Sequence, residues 1–391
     1  MPAVPPNDPI RVAKGIADLY GEATARLLEQ MVKRLAAGVD DPTLSTESWA
    51  FAKLSELTSL RRAAQQEVNR LQGSVMADLT KSLSDARAWG AADAAAEFGE
   101  VSAAFRPKTN EAAVRALVEE TLTGLRQSNV RILRTVNDVY RSIVSEVSAP
   151  GVVVGAESRL AATQRALNAF ADRGITGFVD SKGRQHEIQS YAEMATRTAA
   201  QRSMVAGRLS EYNERDVELV IVSDSPGECE MCEPFEGQLL SLNGRNVGDS
   251  IDGFDVVATI EDAESEGLFH PNCRHDVRPF VPGLTKPMGA TADPAGNAIR
   301  VEQRRLERDK RTTVRREAVA LSPDEKAKAT ARKSTLNARL NLIAENPAEY
   351  AKQASQRSTT EQGTAKWAKV AEAAPTSGKR LAYREQTKRA R

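Results

Sequence analysis

The sequence is short of thiols, imidazoles and aromatic rings. Its 391 residues include three cysteines and three histidines, and Phe, Trp and Tyr together make up 5%. Three cysteines cannot pair fully, so a disulfide framework is not expected. With so few rings, the cores must rely on Leu, Val, Ile and Ala. No run approaches the ~20 apolar residues that span a bilayer; the longest candidate, "APGVVVGA", is far too short. The opening "MPAVPPNDPI" has neither a basic n-region nor an apolar h-region, so no secretory leader is expected. These absences imply a soluble protein kept in a reducing compartment. The phosphate-cradling patterns G-x-x-x-x-G-K-[ST] and G-x-G-x-x-G are missing too.

Helical periodicity dominates what is there. Val12, Ile16, Leu19, Ala23, Leu27, Met31 and Leu35 recur at steps of three and four, and Gly38 follows as a stop. "DPTLSTESW" reads as a turn and cap. Leu57, Leu60, Ala64, Val68, Leu71, Val75, Leu79 and Leu83 then keep a spacing near 3.5, the seam of a long coiled-coil-like helix. "RPKTN" breaks the pattern before a third stripe from Val114 to Val147, which Pro150 and Gly151 end. Residues 1–155 therefore form an N-terminal helical region. Such stripes are core or partner-binding faces and carry no catalytic signal.

The texture then changes. After a short helix near 157–173, "GITGFVDSKGRQHEI" predicts a hairpin turning at "DSKG". "SYAEMATRTAAQRSMVAGRL" predicts a helix, with Ser190 as its cap and Glu193 completing a capping box. "DVELVIVS" predicts a buried strand. Residues 156–285 thus form a central α+β domain, and 286–391 a charged helical tail. The whole is mainly α.

Charge is unevenly placed. Residues 301–391 hold 22 Lys and Arg against 11 Asp and Glu, a net of +11, while the first 300 residues have a net of −10. A basic tail on an acidic body suggests a polyanionic partner, nucleic acid above all. Arg304, Arg305, Arg308, Arg311, Arg315 and Arg316 lie on one expected helix, and Lys379, Arg380, Arg384, Lys388, Arg389 and Arg391 end the chain. Glu302, Glu307 and Asp309 are placed to pair with neighbouring arginines, which makes a solvated helix face the alternative.

The scarce thiols and imidazoles are themselves concentrated. All three cysteines and two of the three histidines fall in the window 229–275. Cys229 and Cys232 form C-x-x-C, a spacing that lets two thiolates reach one tetrahedral ion. His270 and Cys273 repeat it as H-x-x-C, giving a Cys3His site for structural zinc, with "FEGQLLSLNGRN" as a small β excursion between the knuckles. His275 competes as fourth ligand, and spacing favours His270. Catalytic zinc fits poorly. A deaminase needs H-x-E before P-C-x-x-C, yet Glu187 follows His186 directly and Glu228 precedes Cys229. H-E-x-x-H is absent. A zinc-stapled nuclease of the His-Asn-His type would draw on His270, Asn272 and His275, but its hairpin-and-helix arrangement is not evident. Arg197, in "YAEMATRT", is a buried ion-pair partner or an anion contact.

Taken in order, "GFVDSKGRQHEIQSYAEMATRT", a strand, "CEMCEPFEGQLLSL", "GLFHPNCRH" and "QRRLERDKR" resemble the minor capsid proteins of tailed bacteriophages. These form the head-morphogenesis group related to the F protein of phage Mu, and the resemblance covers residues 170–320. It implies a structural virion component rather than an enzyme, made in the host cytoplasm and associated with the portal or capsid interior. It also implies portal and capsid proteins as partners, packaged double-stranded DNA beside the tail, no membrane, and Cys229, Cys232, His270, Cys273 and His275 as the family's own Cys/His positions. His186 departs from the pattern, where an aromatic residue is expected. The wider group has been linked to a degenerate ADP-ribosyltransferase-like fold, which would make Arg197 a nicotinamide-dinucleotide contact. No matching Ser-Thr-Ser or catalytic glutamate accompanies it.

Overall fold

The computed structural model describes residues 9–99, 110–149, 157–179, 183, 185–224, 231–285 and 294–374. It is mainly α, with a small mixed sheet near the middle of the chain.

Four helices open the chain: α1 (Pro9–Ala36), α2 (Thr46–Ser55), α3 (Leu57–Glu97) and α4 (Glu111–Val147). Their ends follow the local chemistry. Gly38 takes φ +69° after α1, a left-handed turn that glycine adopts without steric cost. Ser45 caps α2 by accepting from the Ser48 N–H at 3.1 Å, and Asn110 caps α4 by accepting from Ala113 at 3.0 Å. Every residue of the Leu57–Leu83 stripe is buried. In the other two stripes, Leu19 and Val139 lie at the partly exposed margin.

Next come α5 (Arg159–Arg173), the hairpin strands β1 (Thr176–Val179) and β2 (Gln185–Glu187), and α6 (Ile188–Glu214). The two strands pair antiparallel as a hairpin would, with Phe178 opposite His186, while 180–182 of the expected "DSKG" turn lie outside the described residues. The helix start differs from expectation. Glu187 occupies the N-cap position of α6, and Ser190 lies inside the first turn. Ser190 and Glu193 instead receive the guanidinium of Arg311 from a distant helix. A tertiary ion pair has taken the groups that a capping box would use.

The principal apolar cluster runs from Val12 to Ala200 and includes Val319, so one core takes in residues on both sides of position 155. Two glycines set its tightest crossing. A Cβ on Gly90 of α3 would lie 2.0 Å from the Met204 carbonyl oxygen, and one on Gly207 of α6 would lie 2.1 Å from that of Arg87. Helix backbones meet this closely only where side chains are absent. The Ala-rich end of α3, with Ala86, Ala91, Ala94 and Ala95 buried, continues the same small-residue surface.

The five-stranded sheet has the order β5-β6-β4-β3-β7. Its strands are β3 (Leu219–Val222), β4 (Leu239–Ser241), β5 (Ser250–Ile251), β6 (Phe254–Thr259) and β7 (Val277–Pro279). β3 pairs antiparallel with β4 and β7, while β4 and β6 run parallel. A short helix, α7 (Ile260–Ser265), follows β6. β3 is buried on both faces by strict alternation. Val220 and Val222 join Tyr212, Val205 and Ala94 on the side of α6, and Leu219 and Ile221 join Phe254, Val256 and Phe280 on the other.

The C-terminal helices are α8 (Pro294–Ala318), α9 (Pro323–Glu345), α10 (Pro347–Arg357) and α11 (Glu361–Ala373). They share a cluster around Ile299, Leu306, Leu336, Ile343 and Tyr350. Three arginines expected to face a polyanion are committed to docking α8. Arg311 reaches Ser190 and Glu193, Arg315 is buried against the Ala171 carbonyl (2.7 Å) and Glu187, and Arg316 forms a two-pronged pair with Asp172 at 2.6 Å. Arg304 and Arg308 remain exposed. The basic run 379–391 lies outside the described residues.

Candidate metal centre

Two segments converge beside the sheet. The first carries Cys232 into a 3-10 turn (Glu233–Phe235), where the Phe235 N–H donates to the Cys232 carbonyl at 2.9 Å. The second is "LFHPNCRH", between α7 and β7. Phe269 (φ 60°) and Asn272 (φ 72°) adopt left-handed backbone there. Asparagine tolerates that region, but a buried phenylalanine is costly in it and must be held by its surroundings. The Cys273 N–H donates to the His270 carbonyl at 2.8 Å, closing a knuckle.

One face of α6 clamps this loop. Arg197 donates to Asn272 Oδ1, and the Asn272 N–H donates to Thr198 Oγ1 at 3.2 Å. Gln201 donates to the His275 carbonyl at 3.0 Å, and Arg202 to that of Phe269 at 3.3 Å. Arg197 also pairs with Glu193 at 3.5 Å. Burial lowers its pKa, with Glu193 opposing that shift. It is an ion-pair partner that positions the loop, the plainer of the two expectations for it.

The result is a buried trio of Cys232, Cys273 and His275, whose candidate donor atoms lie within 4.8 Å of one another. Cys232 Sγ is 3.7 Å from Cys273 Sγ, and Cys273 Sγ is 3.3 Å from His275 Nδ1. Two thiolates on one tetrahedral ion with 2.3 Å bonds stand about 3.8 Å apart, and a thiolate and an imidazole about 3.6 Å. The side chains therefore match the donor spacing of such an ion, and the trio could hold a metal. The far ring nitrogen, His275 Nε2, lies 2.5 Å from Glu236 Oε1. A carboxylate behind a ligating histidine fixes its ring and raises its basicity. Burial pushes the Cys273 thiol up, but hydrogen bonding with His275 and Cys232 outweighs this and brings it below its ordinary value. That direction favours the thiolate which a metal needs.

The placement reverses the order of the histidines that spacing suggested. His275, not His270, joins the cysteines. His270 is partly exposed, with Nδ1 2.7 Å from the Pro271 carbonyl. The tight Cys-x-His pair works because β7 begins two residues later and its backbone turns His275 inward. Cys229 lies outside the described residues. His186 sits in β2 and is not in the trio. Glu236 was not anticipated from sequence, although its place four residues after Cys232 was a usable signal.

A buried ion network adjoins the centre. Arg208 of α6 meets Asp93, Glu97 (3.1 Å) and Asp276 (3.2 Å), and Tyr212 donates to Glu97 at 2.6 Å. Burial opposes the Arg208 charge, yet these partners together hold its pKa above the ordinary value. Asp276 follows His275 directly, and its N–H donates to Ser223 Oγ at 2.9 Å. The network thus ties α3, α6 and the end of β3 to the loop that carries Cys273 and His275.

The described residues hold no helix long and apolar enough to cross a membrane. A family model described as phage minor capsid protein 2 matches residues 6–344. No curated protein matches, and no solved structure matches.

Proposed function

Because the chain belongs to the phage minor capsid protein 2 family, we propose that it is a structural component of the phage head, placed at the portal or the capsid interior and not an enzyme. The observation that carries the reading is the family match, which runs through the helical region, the mixed sheet and α8 and α9. Side-chain geometry supports it. Both ring nitrogens of His275 are engaged, by Cys273 and Glu236, and Asn272 is held by Arg197. His275 is thus grouped with the two cysteines rather than with His270. The residues instead suit a structural zinc site with Cys232, Cys273 and His275 as ligands, and the C-x-x-C spacing offers Cys229 as the fourth. Zinc there would staple the turn after β3 to the loop before β7. Long helices supply faces for portal and capsid proteins, and the basic C-terminal part contacts packaged double-stranded DNA. Mass spectrometry of purified particles and procapsids tests the reading. The chain is expected in both, and its absence from both refutes the assignment. Metal-dependent DNA cleavage lost in His270→Ala or His275→Ala would instead support the nuclease alternative.

A further inference from the structure

Between α8 and α9 lies an open cavity of about 350 Å³, lined by Arg305, Asp309, Arg332, Thr335, Leu336 and Arg339. Three guanidinium groups and a hydroxyl face one carboxylate there. Two of the three are already fixed in place. Arg305 donates to both Glu302 oxygens at 2.8 Å and to Asp309 at 3.0 Å. Arg339 donates to the Tyr350 hydroxyl at 2.9 Å, lies 3.3 Å from Glu302, and has its guanidinium carbon 5.8 Å from the Tyr350 ring centre. Its side chain keeps 30% of its surface exposed. Arg332, in contrast, is exposed at the rim.

We infer that this cleft is a phosphate-binding site, in which Arg332 and Arg339 hold the phosphate oxygens, Thr335 adds a hydroxyl donor, and Arg305 forms a fixed wall paired with Glu302 and Asp309. Guanidinium is the group best matched to phosphate, because its fork of N–H donors meets two oxygens at once. Asp309 and Glu302 do not cancel this. They neutralise Arg305 in large part and hold it still, leaving the exposed Arg332 and the solvent-facing part of the Arg339 side chain for a ligand. The inference deepens the DNA contact proposed above and gives it an address away from the chain end. The phosphate could be a DNA phosphodiester or a free ion, and the two are separable by experiment.

The test uses the full chain, with Arg332→Gln as the variant. Lys369→Gln serves as control, since it removes the same charge from an exposed position on α11. One arm measures melting in inorganic phosphate against chloride at equal ionic strength. The other measures duplex-DNA affinity between about 50 and 200 mM salt. Phosphate should raise the melting temperature of the wild type and of Lys369→Gln but not of Arg332→Gln. Arg332→Gln should also flatten the salt dependence of DNA binding by about 0.9 in log–log slope, the effect of one lost phosphate contact. Phosphate protection lost in Arg332→Gln, without any DNA binding, upholds the site for free phosphate and removes the DNA reading. DNA binding that is equal in both variants, with no phosphate protection, leaves the DNA reading and overturns the site. Phosphate protection that survives Arg332→Gln overturns it as well.

Discussion

Alanine at Gly90 should destabilise the protein, although alanine is the better helix former. Removing a mid-helix glycine is worth about 0.8–1.0 kcal/mol from propensity alone. Against that stands the contact with Met204. The new methyl would lie 2.0 Å from its carbonyl oxygen, where carbon and oxygen normally keep about 3.3 Å or more. The helices would have to part by more than 1 Å. Overpacking of this kind costs roughly 1–3 kcal/mol. Parting α3 from α6 also strains the Arg208 pairs to Asp93 and Glu97, which lie within two turns of Gly90. Breaking a buried pair costs about 3–5 kcal/mol. Even partial loss makes the net effect a destabilisation of about 2 kcal/mol or more. Gly73 on the same helix is the control, because a Cβ there meets nothing within 4 Å. Gly73→Ala should be stabilising by about 0.5–1 kcal/mol. Urea midpoints at unchanged m-value report both. Equal stability of the two variants would refute the close crossing of α3 and α6.

Further outcomes follow from the same geometry. His275→Ala should lower the melting temperature and the metal content more than His270→Ala does, since only His275 sits with Cys232 and Cys273. Glu236→Gln should weaken metal affinity by about 10–100-fold while leaving all ligands in place, as measured by competition with a chelator. Arg316→Ala should change stability by about 1 kcal/mol or less because its pair with Asp172 is exposed, whereas Arg315→Ala should destabilise markedly because Glu187 loses a buried partner. The pH dependence of the C-terminal helices should centre on Glu302. Burial raises its pKa, but hydrogen bonds from Arg305 and Tyr350 and the charge of Arg339 hold it below the ordinary value of 4.5. A carboxyl depressed in the folded state contributes stability above its unfolded pKa and loses it as pH falls through the folded pKa. Glu302→Gln should therefore reduce the acid-side loss, read by melting curves below pH 5.

The helices were legible because their apolar residues recur at helical spacing and their breaks carry Gly38, Ser45 and Asn110. The end of α3 was not, since Ala86 to Ala95 offer no stripe and gain meaning only against Gly207. The capping role expected of Ser190 failed for a related reason: the pattern near one helix could not reveal that Arg311, 121 residues away, would take both groups. The charge count foretold a basic C-terminal part but not that Arg311, Arg315 and Arg316 dock α8. The Cys/His window was visible as a cluster of rare residues. Its membership was less so, because spacing treats the chain as a uniform thread, while the short strand after His275 decides which imidazole turns inward.

Metal analysis of the purified full-length protein tests the centre most directly. About one zinc per chain is expected, with removal by chelator lowering the melting temperature and exposing residues 231–285 to protease. Cys232→Ser should reproduce that sensitivity without chelator. Protein purified free of metal, whose melting is unchanged by zinc and by Cys232→Ser, would contradict it.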